Sequence, residues 1–194
     1  MIAKYSHKII SLAVMLFLYA QSPAQLFKNN KLFVFQSFNS LQLLMGKTNN
    51  AFSVHSVNGL KWNKFFAGAG IGFDYYYHTS VPLFLELRHD ITSGERKFQV
   101  FVNGGLHLPF GNTNTIEPGK TGDFKPGRLL AAGIDYYIPL KRDAIVIGLA
   151  CSQKKETQMV DNNIWNPSIN RMENIPLKEV YEFNRIWLKV GWVF

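Results

Sequence analysis

Hydrophobic and polar residues alternate along most of this chain with a period of two, the repeat of a β-strand rather than of a helix. The cleanest run is Asn184 to Phe194, where Ile186, Leu188, Val190, Trp192 and Phe194 are all large and apolar and Arg185 and Lys189 stand between them. Seven earlier segments share this character and are separated by turn signals. They lie within Leu32 to Gly46, then at Ala51 to Trp62, Phe65 to Tyr77, Val81 to Ile91, Lys97 to Phe110, Arg128 to Leu140 and Ala144 to about Thr157. The last begins near Val180. The first is irregular, because Phe33 to Leu44 has no clean alternation. Eight segments predict an all-β fold, an eight-stranded antiparallel up-and-down barrel with both ends of the chain on one side.

The two faces of each strand differ in kind. In the fourth segment Val81, Leu83, Leu85 and Leu87 share one face, and Glu86, Arg88 and Asp90 the other. In the third, Phe65, Ala67, Ala69, Ile71, Phe73, Tyr75 and Tyr77 oppose Gly68, Gly70, Gly72 and Asp74. The sixth sets Leu130, Ala132, Ile134, Tyr136 and Ile138 against Ala131, Gly133 and Asp135. The seventh sets Ile145, Ile147, Leu149 and Cys151 against Gly148, Ala150, Ser152 and Lys154. Alternation alone also fits a soluble, lipid-carrying periplasmic barrel with its apolar face inward. The Gly and Ala on the polar faces suit a crowded, narrow interior, and the long bulky apolar faces suit lipid. Both favour a transmembrane barrel with the polar face inside.

The ends of the chain point the same way. Lys4 and Lys8 precede a short apolar run, Ile9 to Tyr19, and Ser22-Pro23-Ala24 supplies small residues for cleavage. The run is too short to span a bilayer, so residues 1–24 read as a signal peptide for Sec-type export, with residues 25–194 as one barrel domain. The alternating final strand with its aromatic end reads as a barrel-assembly signal, carried by Val190, Trp192 and Phe194. Barrel-assembly machinery and periplasmic chaperones are then partners during biogenesis, and the outer membrane is the destination.

Composition narrows the picture further. Apolar residues make up 47% of the chain, yet the mean hydropathy is only −0.04. A barrel reconciles the two, since lipid requires apolar residues only at every second strand position. The single cysteine, Cys151, excludes an internal disulfide. Two of the 21 basic residues fall in the leader, which leaves 19 against 13 acids, a net charge of +6. That charge suits outer-membrane lipid and lipopolysaccharide phosphates, and equally ordinary loop and lumen charge. No basic cluster interleaved with aromatics suggests nucleic acid.

With both termini in the periplasm, the turns at Asn63-Lys64, Thr92 to Arg96 and Lys141 to Asp143 are short and periplasmic. The outer connections are Lys47 to Asn50, His78 to Ser80, Gly111 to Gly127 and about Gln158 to Glu179, so two long loops, 111–127 and 158–179, lie outside. Aromatics gather near the strand ends, with Trp62, Phe65, Phe66, Tyr136, Tyr137, Trp192 and Phe194 toward one rim. Tyr75, Tyr76, Tyr77 and Phe110 lie toward the other, as membrane-interface girdles would.

The segments Val57-Asn58-Gly59-Leu60-Lys61-Trp62-Asn63, Gly68-Ala69-Gly70-Ile71-Gly72-Phe73-Asp74-Tyr75-Tyr76 and Pro82-Leu83-Phe84-Leu85-Glu86-Leu87-Arg88 resemble small outer-membrane β-barrel domain proteins. The resemblance spans most of the chain after the leader. It implies the eight-stranded fold and the outer membrane, and it carries over no catalytic residue or cofactor.

An enzyme reading rests on His78, Thr79 and Ser80, with Glu86 or Glu95 as a third group. A His and a Ser two apart on one strand face form a candidate base and nucleophile. The arrangement faintly resembles that of outer-membrane deacylases that trim lipid A. Against it, Val81-Pro82 follows the serine and the segment reads as a tight turn. His55 shares a face with Ser53 but has no evident acid. The remaining histidines show no metal-ligand spacing, and Pro118-Gly119-Lys120-Thr121-Gly122 lacks the spacing of a phosphate loop. The last constellation is a lumen charge network of Asp74, Glu86, Arg88, Asp90, Asp135, Arg185 and Lys189. Acids and bases are similar in number, and charges in a narrow interior must pair. A salt-bridged plug is the expectation, with a small pore as the alternative. These readings converge on a structural, surface-interaction or envelope-maintenance role.

Overall fold

Strands β1 (Val34–Met45), β2 (Asn50–Trp62), β3 (Phe65–Tyr75), β4 (Thr79–Asp90), β5 (Lys97–Pro109), β6 (Gly122–Pro139), β7 (Ala144–Asn166) and β8 (Arg171–Val193) follow one another around a closed barrel. The computed structural model describes residues 32–47, 49–76, 79–110, 122–166 and 170–194. Every neighbouring pair is antiparallel, and β1 closes the ring against β8 from Phe38↔Val193 to Met45↔Ile186. Closure leaves no free edge in the body of the barrel. The ring is sealed at its lower end by Phe194, whose backbone N–H donates to the Ser37 carbonyl at 3.1 Å while the Ser37 N–H donates to the Phe194 carbonyl at 2.8 Å.

Turn chemistry explains the tight connections. Trp62 pairs directly with Phe65, so Asn63 and Lys64 form a two-residue hairpin loop. Asn63 takes a φ of 55°, a left-handed conformation that asparagine tolerates better than most residues. Between β4 and β5, Ile91 N–H donates to the Phe98 carbonyl at 2.8 Å, and Gly94 supplies a φ of 119°. Pro139 pairs with Ala144, and Leu140 N–H donates to the Asp143 carbonyl at 2.7 Å. Pro126 and Gly127 fall where the β6–β7 register shifts, a strand irregularity that accommodates a residue unable to donate.

The faces sort as the apolar-outward reading requires. Leu83, Leu85 and Leu87 are exposed while Glu86, Arg88 and Asp90 are buried, and β3, β6, β7 and β8 follow the same parity. Two small apolar clusters accompany the polar interior. One gathers Leu44, Tyr76, Phe101, Leu129 and Trp187, and the other Phe38, Val57, Phe66, Phe84 and Val146. Phe66 and Tyr76 therefore point inward and belong to no surface girdle. Their position near a strand end is right, but their parity is that of the interior.

The long outer loops need correction. Residues 122–127 belong to β6, and residues 158–166 and 171–179 are paired strand, so the supposed loop 158–179 is a continuation of β7 and β8. Their pairing runs unbroken from Ala144↔Val193 to Asn166↔Arg171. Among the described residues β6 accompanies β7 as far as Val160, and β1 accompanies β8 from Ile186 onward. Beyond those points the two strands form a projecting hairpin. Alternation marks a strand whose two faces meet different media, and Asp161-Asn162-Asn163 opposite Asn174-Ile175-Pro176 carries no such contrast. Residues 111–121 lie outside the described residues, as does the leader.

Candidate functional site

The interior holds three levels of ionised side chains stacked along the barrel axis. Nearest the short turns, Asp90 Oδ2 accepts from Lys61 Nζ at 2.6 Å and from Lys97 Nζ at 2.7 Å, and Gln99 donates to its other oxygen. β2, β4 and β5 each contribute one of these charges.

The middle level is centred on Arg88. Arg88 Nε donates to Glu86 Oε1 at 2.6 Å, and Arg88 Nη1 donates to Asp135 Oδ2 at 2.7 Å. Lys189 Nζ lies 2.7 Å from the same Asp135 oxygen, and Asn103 Nδ2 reaches Glu86 Oε2 at 3.2 Å. Two cations thus face two carboxylates, all four nearly without solvent contact. The Arg88 guanidinium also sits over Phe38, 3.8 Å from the ring centroid, and Lys189 over Phe101 at 3.7 Å. Rings at this range add a further attraction to desolvated cations. Small residues make the room: a Cβ at Gly148 would collide with the Asp135 carboxylate, and one at Gly70 with the Phe84 ring.

Toward the projecting end, Lys154 is the hub. Its Nζ donates to Asp74 Oδ1 at 3.0 Å and to Ser80 Oγ at 2.7 Å, and lies 2.9 Å from Glu156 Oε1. Ser80 itself donates to Asp74, and His107 Nδ1 lies 3.1 Å from Glu156. Above this level Arg185 turns to backbone, donating to the carbonyls of Asn49 and Tyr76, each at 2.8 Å. Tyr76 then connects to Ser152 at 2.6 Å and accepts from Trp187 Nε1 at 3.2 Å.

All seven residues of the anticipated lumen network, Asp74, Glu86, Arg88, Asp90, Asp135, Arg185 and Lys189, are buried inside the barrel. The network also includes Lys61, Lys97, His107, Lys154 and Glu156, which the charge count from sequence leaves out. Lys154 and Glu156 continue the parity of Gly148, Ala150 and Ser152, and His107 that of Gln99 and Asn103, so alternation alone carries the signal. Val190, Trp192 and Phe194 project outward from the end of β8.

The catalytic alternative does not assemble among the described residues. Ser80 has no exposed surface and is bonded to Asp74 and Lys154, and His78 lies outside the described residues. Glu86 sits six positions along the same strand, about 20 Å away at strand rise, and is engaged by Arg88. Glu95 is exposed in the turn at the opposite end. His55 meets Gln42 Nε2 at 2.9 Å and packs on Phe84 and Trp187, with no carboxylate bonded to it. A void among Phe38, Arg88, Val146 and Lys189 measures about 10 Å³, at the lower limit for a single water. Among the described residues no three His, Cys, Asp or Glu side chains are grouped to hold a metal.

The eight-stranded barrel that the sequence resemblance implies is thus the fold of the chain, on its own strand pairing. No family model matches the chain, and no curated protein matches it at a significant level. Among solved structures, it is similar to the crystal structure of Neisserial surface protein A (NspA), with 11% identity over 83% of this chain and 95% of that one, at a TM-score of 0.48.

Proposed function

We propose that this protein is an integral outer-membrane β-barrel with a non-catalytic structural, surface-interaction or envelope-maintenance role. The observation that carries the reading is the inverted distribution of its side chains. Ion pairs fill the interior, whereas Leu85, Leu87, Leu149, Ile186, Val190 and most of their outward neighbours expose an apolar belt. Water would penalise such a belt heavily, and hydrocarbon would not. Trp62, Phe65, Trp192 and Phe194 ring the end that carries the short turns, as side chains with an apolar body do at a membrane interface. No helix among the described residues is long and apolar enough to cross a membrane, so any crossing belongs to the strands.

The projecting hairpin supports a surface role. β7 has 23 residues, about 75 Å at strand rise, and a tilt near 40° leaves roughly 58 Å along the axis. The apolar band of such barrels is about 25 Å tall, so much of the hairpin stands clear of it. Lipid and lipopolysaccharide phosphates are the partners at the outer rim, where Arg128 and Lys155 pair across β6 and β7 just beyond Leu130 and Cys151. Export through the leader of residues 1–24, with chaperones and assembly machinery acting on Val190, Trp192 and Phe194, completes the reading. A solute pore and a lipid-carrying lumen are both disfavoured by an interior filled with paired charges.

Electrophoresis of isolated outer membranes, with and without boiling in detergent, is the direct test. A heat-dependent mobility shift is the expected result, and a soluble product without a shift would overturn the reading. Deleting Phe194 removes both closing bonds to Ser37, and membranes from that variant should hold much less shifted protein. Undiminished assembly would remove Phe194 from the signal.

A further inference from the structure

The apolar belt has one polar window. On β3 to β8 the described outward positions in the middle of the belt are aliphatic, aromatic, Ala, Gly or Cys, and polar outward side chains such as His89, Gln153 and Asn184 stand toward its two ends. On β1 and β2 the outward positions include Ser37, Asn39, Ser56 and Asn58, and these four sit together, because Ser37 pairs with Asn58 and Asn39 with Ser56. Val54 and Leu60 flank the window along β2, and Leu41 along β1, while Asn39 pairs with Trp192 and Ser37 bonds to Phe194, so it lies in the part of the belt nearest the short turns. Asn39 Nδ2 donates to Ser37 Oγ at 3.3 Å and Asn58 Nδ2 to Ser56 Oγ at 3.5 Å. Neither asparagine has a bond to its amide oxygen among the described residues, and each retains a second N–H. The two serines are almost fully buried, while both asparagines are partly exposed. Ala69 stands directly beside Asn58, and Ala67 beside Leu60, so the window is also a low point in the surface.

Unsatisfied amide groups facing hydrocarbon are costly, and small residues with amides and hydroxyls are what brings transmembrane surfaces together. We propose that this window is the interface through which a second copy of the chain docks, side by side in the membrane, across a two-fold axis. The patch suits itself. It holds no charge that would require an opposite one, and each asparagine offers both a donor and an acceptor. Two copies related by a two-fold can therefore exchange bonds between like groups. The alanines allow close approach, and Leu41, Val54, Leu60 and Trp62 form the apolar surround that excludes lipid from those bonds. The irregular first strand acquires a partial reason here, since outward Ser37 and Asn39 break its alternation together with inward Phe38 and Leu44.

The inference rests on the membrane reading, and the experiment separates the two. In a Cys151→Ala background, Asn39→Cys, Asn58→Cys and, as control on the far wall, Val102→Cys are treated with a short bismaleimide in intact outer membranes. Cross-linked dimer is expected at the first two positions and not at the third. A complementary Asn39→Leu/Asn58→Leu variant of the full chain should keep its heat-dependent shift but sediment as a monomer in detergent where the wild type sediments as a dimer. A heat-shifting protein that is monomeric, that cross-links equally at Val102, that cross-links to a different protein, or whose double variant stays dimeric would overturn the second-copy interface alone. Absence of the heat shift in the wild type would overturn the membrane reading and this inference with it.

Discussion

The barrel body and the hairpin that projects from it are made of the same two strands, β7 and β8, but under different constraints. In the body, residues 144–160 of β7 are bonded to β6 on one side and β8 on the other. Their inward positions carry Lys154, Glu156 and Gln158, while Ile147, Leu149 and Cys151 face out. In the projection, residues 161–166 pair with β8 and, among the described residues, with no other strand, and Asp161-Asn162-Asn163 shows no apolar–polar alternation. Alternation therefore records a difference between two media and not strand formation itself. Where that difference vanishes, backbone pairing persists and the pattern does not.

The largest effect is expected at the centre of the body. Arg88→Met leaves Glu86 and Asp135 buried beside one remaining cation, Lys189, and should cost about 3–5 kcal/mol. Urea titration of the heat-shifting species in detergent would measure it. A loss below about 1 kcal/mol would mean the network does not hold the body together. Gly148→Val pushes a side chain into the space of the Asp135 carboxylate and should cost about 1–3 kcal/mol in the same titration. An unchanged midpoint would show that the lumen repacks easily.

Smaller effects belong to the outer part of the molecule. Lys155→Ala removes a half-exposed pair with Glu182, and the expected change is about 0.2–1 kcal/mol. A double-mutant cycle with Glu182→Ala would isolate that coupling, and a value comparable to the Arg88 effect would erase the distinction between surface and lumen. Smallest of all should be removal of the projection. Replacing residues 161–176 with Asn-Gly joins Val160 to its partner Leu177 through a two-residue turn, and barrel stability should move by less than about 0.5 kcal/mol. A large drop would make the hairpin part of the folding unit rather than a platform on it.

Legibility follows the same division. Phe65 to Tyr75, Val81 to Asp90 and Ala144 to Ser152 declare their strands and faces, because every second side chain answers to lipid-like or lumen-like surroundings. Phe66 and Tyr76 mislead, since an aromatic near a strand end looks alike whether it packs on Phe38 inside or faces out. The seven lumen charges stand out by parity, but their grouping does not. Arg88 meets Asp135 across 47 positions and Lys154 meets Asp74 across 80, distances that only the shear of the closed ring resolves. The serine near His78 invites a catalytic reading until its burial and its bonds to Asp74 and Lys154 are known.

Strand number, parity and the apolar nature of one face were legible along the chain, because they depend on neighbours two residues apart. Which carboxylate serves which cation, where β7 and β8 outrun their described neighbours, and the gathering of four scattered Ser and Asn side chains into one outward patch emerged only in the closed ring. Each of those depends on register between strands. A one-residue slip leaves the local pattern of every strand intact while changing all of its partners.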